Sequence, residues 1–150
     1  MNRKAMAFLI AASVAALDQL TKYLAAAHVS PYQPLEVLPF FRLVNVRNTG
    51  AAFGVLSGLG NAFFIAISVA ALLLIAFLLL RGKDGFYSLC LILGGATGNL
   101  IDRVRYGYVR DFLDFSLGSY HWPAFNVADA ALSVGIVIFI AGALLRHSPR

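Results

Sequence analysis

Residues 62 to 80 form a run with no charge and one hydroxyl, Ser68. At about 1.5 Å per residue, a helix of that length nearly spans the roughly 30 Å hydrocarbon core of a bilayer. It has no polar stripe to turn toward water, so a two-sided globular helix is excluded. Composition agrees. The 150 residues are 60% hydrophobic and 13% charged, with a mean hydropathy of +0.79, whereas soluble domains carry about 25% charged residues. Disorder is excluded, the composition argues against a soluble globule, and lipid is expected to cover the chain.

Three further segments are candidate spans. Residues 5–27 are apolar through Leu17 and then carry Asp18, Gln19, Thr21 and Lys22; residues 86–102 are shorter and glycine-rich; residues 127–145 carry Asp129 near their start. With 62–80 these predict an all-α integral membrane protein of four transmembrane helices, a single membrane domain over 1–150. The first segment also reads as a cleavable signal peptide, with Asn2-Arg3-Lys4 ahead of an apolar stretch and Ala25-Ala26-Ala27 behind it. Against cleavage, Asp18 and Lys22 stand four apart, acid first, the favourable order for an ion pair within one helix.

Arg3, Lys4, Arg81, Lys83, Arg146 and Arg150 sit in short flanks, which places those flanks and both termini in the cytoplasm. The other basic residues, Lys22, Arg42, Arg47, Arg103, Arg105 and Arg110, lie on longer connections toward the opposite face, with Asp18, Glu36, Asp102, Asp111, Asp114 and Asp129. The two sides tie in number, so orientation rests on flank density. Polar chemistry is expected at the outer face. There, residues 35–46 mix β-branched and aromatic side chains between Pro31, Pro34, Pro39 and Asn48-Thr49-Gly50, which predicts one or two short strands in a small cradle over about 30–58. The second connection, 103–122, is expected to be a loop or helix on the same face, with Tyr106, Tyr108, Tyr120 and Trp122 in the headgroup belt.

Several chemistries are excluded by what is missing. The net charge of +5 would suggest nucleic acid in a soluble protein, but there is no Lys/Arg-rich run, so no nucleic-acid partner is expected. Cys90 is the only cysteine, and no intrachain disulfide is possible. There is no His-Glu-x-x-His pair, His28, His121 and His147 are scattered, and neither a Gly-x-Ser-x-Gly elbow nor a phosphate loop occurs. No metal and no cofactor are expected, while a serine paired with Lys22 stays open.

What remains is aspartate and asparagine at helix ends. Positions 95, 99 and 102 share one helical face, which turns Asn99 and Asp102 inward, and Gly94 and Gly98 permit close helix contact. Asn126, Asp129 and Ser133 share another face; helix capping is the plainer role for Asn126 and Asp129. Asp111 and Asp114 stand among large apolar residues. They read either as a polar loop touching headgroups or as carboxyls whose proton affinity is raised by desolvation and a nearby acid, so that two acids share one proton. The residues alone suit a small ion- or proton-coupled transporter, relaying through Asp18 and Lys22, nearly as well as an enzyme. An inert helical scaffold is a third reading.

Five blocks in order, Asp18-Gln19-Leu20-Thr21-Lys22, Asn48-Thr49-Gly50-Ala51-Ala52-Phe53-Gly54, and residues 94–103, 109–115 and 122–129, make the chain resemble the lipoprotein signal peptidases, or signal peptidase II. The resemblance implies an aspartic endopeptidase of the bacterial inner membrane that cuts prolipoproteins before a diacylglyceryl-modified cysteine. It implies four retained spans with cytoplasmic termini, an outer β-cradle, membrane lipids as surroundings, and inhibition by globomycin-type cyclic peptides. By the same resemblance Asp111 and Asp129 are the catalytic pair. Asn48, Asn99, Asp102, Arg103 and Asn126 support the site or contact substrate, and Asp18 and Lys22 belong to a further motif.

Overall fold

The computed structural model describes residues 2–50, 58, 60–82 and 85–146. Residues 51–57, which include the end of the Asn48 block and most of the cradle's expected tail, lie outside the described residues, as do Lys83, His147 and Arg150. The elements in chain order are α1 (Arg3–His28), β1 (Leu35–Leu38), β2 (Phe41–Asn48), α2 (Gly60–Leu80), α3 (Phe86–Tyr106), β3 (Val109–Leu117), β4 (Tyr120–His121) and α4 (Val127–Arg146).

Asn2 opens α1 by accepting a hydrogen bond from Ala5 N at 2.8 Å. Asp18 and Lys22 are continuous with that helix, as the acid-first spacing requires. Among the described residues α1, α2 and α4 are long and apolar enough to cross a membrane. Their apolar side chains face outward: Leu73, Val137 and Leu144 are each at least 65% exposed, a surface suited to hydrocarbon and not to water. The 21-residue α3 is as long as α2 but is interrupted by glycines and by Asn99, Asp102, Arg103 and Arg105. It packs against α1, α2 and α4 and buries its small and polar face among them. It ends at Gly107, whose φ of +81° suits only glycine and lets its N–H return to Arg103 O at 3.1 Å.

Glycines on α3 let the bundle close. A methyl at Gly98 would stand 2.6 Å from Asp18 Oδ2 on α1, and one at Gly95 would stand 2.5 Å from the backbone oxygen of Ala128 on α4. A backbone oxygen cannot step aside as a side-chain tip can. Gly95→Ala is therefore expected to cost about 1–3 kcal/mol by overpacking, read as a lower unfolding midpoint in detergent. Gly142→Ala on α4, with nothing within 4 Å of the added carbon, is expected to be neutral or stabilising by up to about 1 kcal/mol through helix propensity. Equal midpoints for the two variants would refute the packing argument.

The sheet is antiparallel in the order β1-β2-β3-β4. It corrects the sequence reading in one respect, because the second connection supplies strands in place of a loop or helix, and β3 pairs with β2 along its length. A bulge hid it. Phe112 N and Leu113 N both donate to Phe125 O, at 3.0 and 2.9 Å, and the register with β2 shifts between Leu43 and Val46, where two residues of β2 face Phe112 alone, which breaks the two-residue alternation. Asp111 and Asp114, three apart, are thereby both buried, at 2% and 6% exposure. Asp114 is not a headgroup-facing loop residue: Arg42 Nε reaches its Oδ2 at 2.7 Å and His121 Nδ1 lies 3.0 Å from its Oδ1. Phe41 stacks on Phe115 at 4.7 Å between ring centroids and locks the same strand pair.

Candidate active site

A buried polar cluster ties the helices to the sheet. Lys22 Nζ lies 2.8 Å from Asp18 Oδ2 and 3.1 Å from Asp102 Oδ2, and it donates to Asn99 Oδ1 at 3.0 Å. Three partners match the three protons of an ammonium group. Among the described residues no serine is a partner of Lys22, so they do not form a serine–lysine pair. Asp18 Oδ1 accepts from Ala128 N at 2.9 Å at the start of α4, and Asp102 Oδ2 accepts from Arg110 N at 3.0 Å on β3. Gln19 Nε2 adds bonds to Gly98 O at 3.1 Å and Asp102 Oδ1 at 3.0 Å. Lys22, Asp18 and Asp102 are almost fully buried, so the cluster acts as a pinned joint between α1, α3, α4 and β3.

Asn99 carries that joint forward. Its Nδ2 donates to Asp129 Oδ1 at 2.7 Å, while its Oδ1 holds Lys22. Asn126, fully buried at the head of α4, accepts from Asp129 N at 2.9 Å, and Asp129 Oδ2 accepts from Asn126 N at 3.3 Å. That is a reciprocal cap of the helix start. The same Asn126 donates through Nδ2 to Asp111 Oδ1 at 2.7 Å. One side chain therefore both caps the helix and orients Asp111, because the two ends of its amide serve different neighbours. Asn48 Nδ2 donates to Asp111 Oδ2 at 2.9 Å from β2, its own oxygen fixed by Gly50 N at 3.0 Å.

Asp111 and Asp129 line one cavity of about 550 Å³, with Asn48, Asn99 and Arg103 beside them. The segment from Trp122 to Phe125 forms one wall and Leu132, Ser133 and Val134 of α4 another, so the polar groups face an apolar trough. Arg103 donates to Gly50 O at 3.2 Å and lies 5.1 Å from the centre of the Phe64 ring. Burial pushes the Asp111 carboxyl up to about 6, the negative charge of Asp129 adds to the rise, and the amides of Asn48 and Asn126 oppose it. A carboxyl so placed can hold a proton near neutral pH beside a second carboxylate.

Of the residues singled out from sequence, Asp111, Asp129, Asn48, Asn99 and Arg103 line the cavity; Asn126 stands behind Asp111; Asp18, Lys22 and Asp102 lie a layer deeper and do not line it. Sequence reasoning gave no role to Gln19 and placed Trp122 in the headgroup belt. Leu132 and Val134 carry no signal at all, being apolar residues in an apolar helix. Among the described residues no three His, Cys, Asp or Glu side chains converge as a metal centre.

A family model described as signal peptidase (SPase) II matches residues 10–145. The chain is 49% identical over 148 residues to a lipoprotein signal peptidase of Oleidesulfovibrio alaskensis, covering 93% of this chain and 94% of the relative. It is 48% identical over 124 residues to one of Thermodesulfovibrio yellowstonii, covering 83% and 84%. A solved structure described as a bacterial membrane enzyme superposes with a TM-score of 0.87 at 36% identity, over 96% of this chain and 90% of that one.

Proposed function

The chain belongs to the signal peptidase II family, and from that premise we propose that it cleaves its substrates as an aspartic endopeptidase with Asp111 and Asp129 as the reacting pair. It is a membrane peptidase that removes signal peptides from prolipoproteins. The transporter reading has no support among its relatives.

One observation carries the aspartic mechanism: a buried carboxyl, Asp111, and a half-buried one, Asp129, face a single trough, each oriented by amide donors, and Asp111 has a raised proton affinity. With one proton on the pair, the ionised member takes a proton from water. The resulting oxygen attacks the carbonyl carbon ahead of the diacylglyceryl-modified cysteine, and the neutral member donates its proton toward the carbonyl oxygen. Collapse of the tetrahedral species breaks the C–N bond, and the departing amine recovers a proton from the pair. Arg103 and Asn48 hold the substrate backbone, and the trough walled by Leu132 and Val134 receives apolar groups. Because the lipid chains stay in the bilayer, the scissile bond meets the pair at the polar edge.

The same reading makes α3 the fourth span of one membrane domain, with both termini cytoplasmic, the sheet and trough on the outer face of the inner membrane, and globomycin-type cyclic peptides competing for the trough. The decisive assay is cleavage in detergent of a diacylglyceryl-modified precursor against the same precursor without lipid. Efficient cleavage of the unlipidated form would refute the substrate assignment.

The pH dependence follows from the direction of the Asp111 shift. Its folded value, about 6, lies above the ordinary carboxylate value, so the proton is present at lower pH and lost as pH rises through that value. The pair titrates as a unit, and without its proton it has no general acid. The expected kcat/KM therefore falls on the alkaline side of the pair's titration, by about tenfold per pH unit. Asn48→Ala removes a donor that favours the charged form and is expected to move this limb to higher pH. An unchanged limb in Asn48→Ala would contradict the coupling.

A further inference from the structure

A second cavity, of about 590 Å³, opens between α1 and the end of α3, lined by Leu20, Tyr23, Ala27, Arg105, Tyr106 and Arg110. It shares no lining residue with the trough. Arg110 and Asp111 are consecutive on β3, and consecutive strand side chains point to opposite faces.

Its basic groups are gathered without a carboxylate among the described residues to offset their repulsion. Arg47 on β2 is paired directly opposite Arg110 on β3, and like charges so placed destabilise a sheet. The Arg110 guanidinium lies 4.1 Å and that of Arg105 5.2 Å from the centre of the Tyr106 ring, Arg47 lies 5.2 Å from that of Tyr108, and the two rings are 6.0 Å apart. Among the described residues none of these three arginines has a carboxylate within ion-pair distance. Asp18 and Asp102, the acids nearest the cavity's Lys22, are bound to that lysine. Planar, stacked, uncompensated guanidiniums are the groups that bind phosphate.

The surface beside them is apolar and open. Ile101 lies one turn before Arg105 on α3, with Val104 beside it, and Leu17 lies one turn before Leu20 on α1; they are 37%, 68%, 53% and 55% exposed in that order. We propose that this cavity holds the phosphate headgroup of an anionic phospholipid from the leaflet beside the sheet, its acyl chains lying against Leu17, Leu20, Ile101 and Val104. Charge selects the head and the apolar stripe retains the tails, so an anionic lipid fits where a free phosphate uses only half of the site.

The test compares binding of dioleoyl phosphatidylglycerol, dioleoyl phosphatidylcholine and glycerol phosphate to the full-length protein in detergent, by native mass spectrometry and by the shift in unfolding midpoint. The parent is expected to retain the anionic lipid and gain stability from it, and to respond weakly to the other two. The double variant Arg105→Gln/Arg110→Gln is expected to lose about thirtyfold in affinity for the anionic lipid. Its cleavage activity in neutral detergent should stay at the parental level. Should the double variant fail to fold, Arg105→Gln alone, at the exposed end of α3, is expected to lose about fivefold. Equal binding of the zwitterionic lipid, binding of glycerol phosphate as tight as that of the lipid, or undiminished lipid binding by the folded variant would overturn the proposal. The binding readouts do not depend on the peptidase mechanism, so either conclusion can fail without the other.

Discussion

Asp111→Asn and Asp129→Asn are each expected to lower cleavage of a diacylglyceryl-modified precursor by about a thousandfold to ten thousandfold, in a protein that still folds. The magnitude is that of general acid–base catalysis lost outright, since an amide neither takes a proton from water nor donates one to a leaving group. Loss of either member removes the shared proton, so the double variant should be little worse than either single one. The structural cost is smaller. At position 111 an amide NH2 must face either Asn126 Nδ2 or Asn48 Nδ2, both of them donors, which sacrifices one hydrogen bond at about 1–3 kcal/mol. The measurement is turnover in detergent together with the unfolding midpoint of each variant. Turnover within about tenfold of the parent in a folded Asp111→Asn protein would remove the pair from the mechanism.

Lys22→Met is expected to produce the largest loss of stability among single changes at the polar cluster, about 3–5 kcal/mol, because it leaves Asp18 and Asp102 buried with no cation between them. Adding Asp102→Asn to that variant should recover part of the loss, since one of the two stranded charges is then gone. Denaturant or SDS titration of the three proteins in one detergent measures it. A second readout separates a structural lysine from one that also tunes the site. The charge of Lys22 opposes the rise at Asp111, so in whatever fraction of Lys22→Met folds, the alkaline limb of activity should move to higher pH. A loss below about 1 kcal/mol, the scale of an exposed ion pair, would mean that the cluster is not sealed from water.

Helix periodicity alone turns Asn99 with Asp102, and Asn126 with Asp129, to common faces, because each relation spans a single helical turn and needs no knowledge of what lies opposite. The Asp18–Lys22 pair is legible for the same reason. Asp111 is of a different kind. Its neighbours suggested desolvation, but its donors come from Asn48, 63 residues earlier, and Asn126, 15 residues later. It lies beside a register shift in the β2–β3 pair, and that irregularity defeats the alternation by which a strand is recognised. The dual use of Asn126 was equally hidden, since capping is a local act and holding Asp111 is not.

The amino-acid order by itself determined that lipid must cover this chain, that its polar residues gather toward one face, and which sides of its helices turn inward, all consequences of local spacing and of the cost of charge in hydrocarbon. Tertiary structure decided what those inward sides meet: which ions share Lys22, which strand lies beside β2, and which amides hold Asp111 and Asp129. Those partners depend on strand register and on the close approach of α3 at its glycines. A short-range pattern shows that a side chain is buried, and only the packed fold supplies its neighbour.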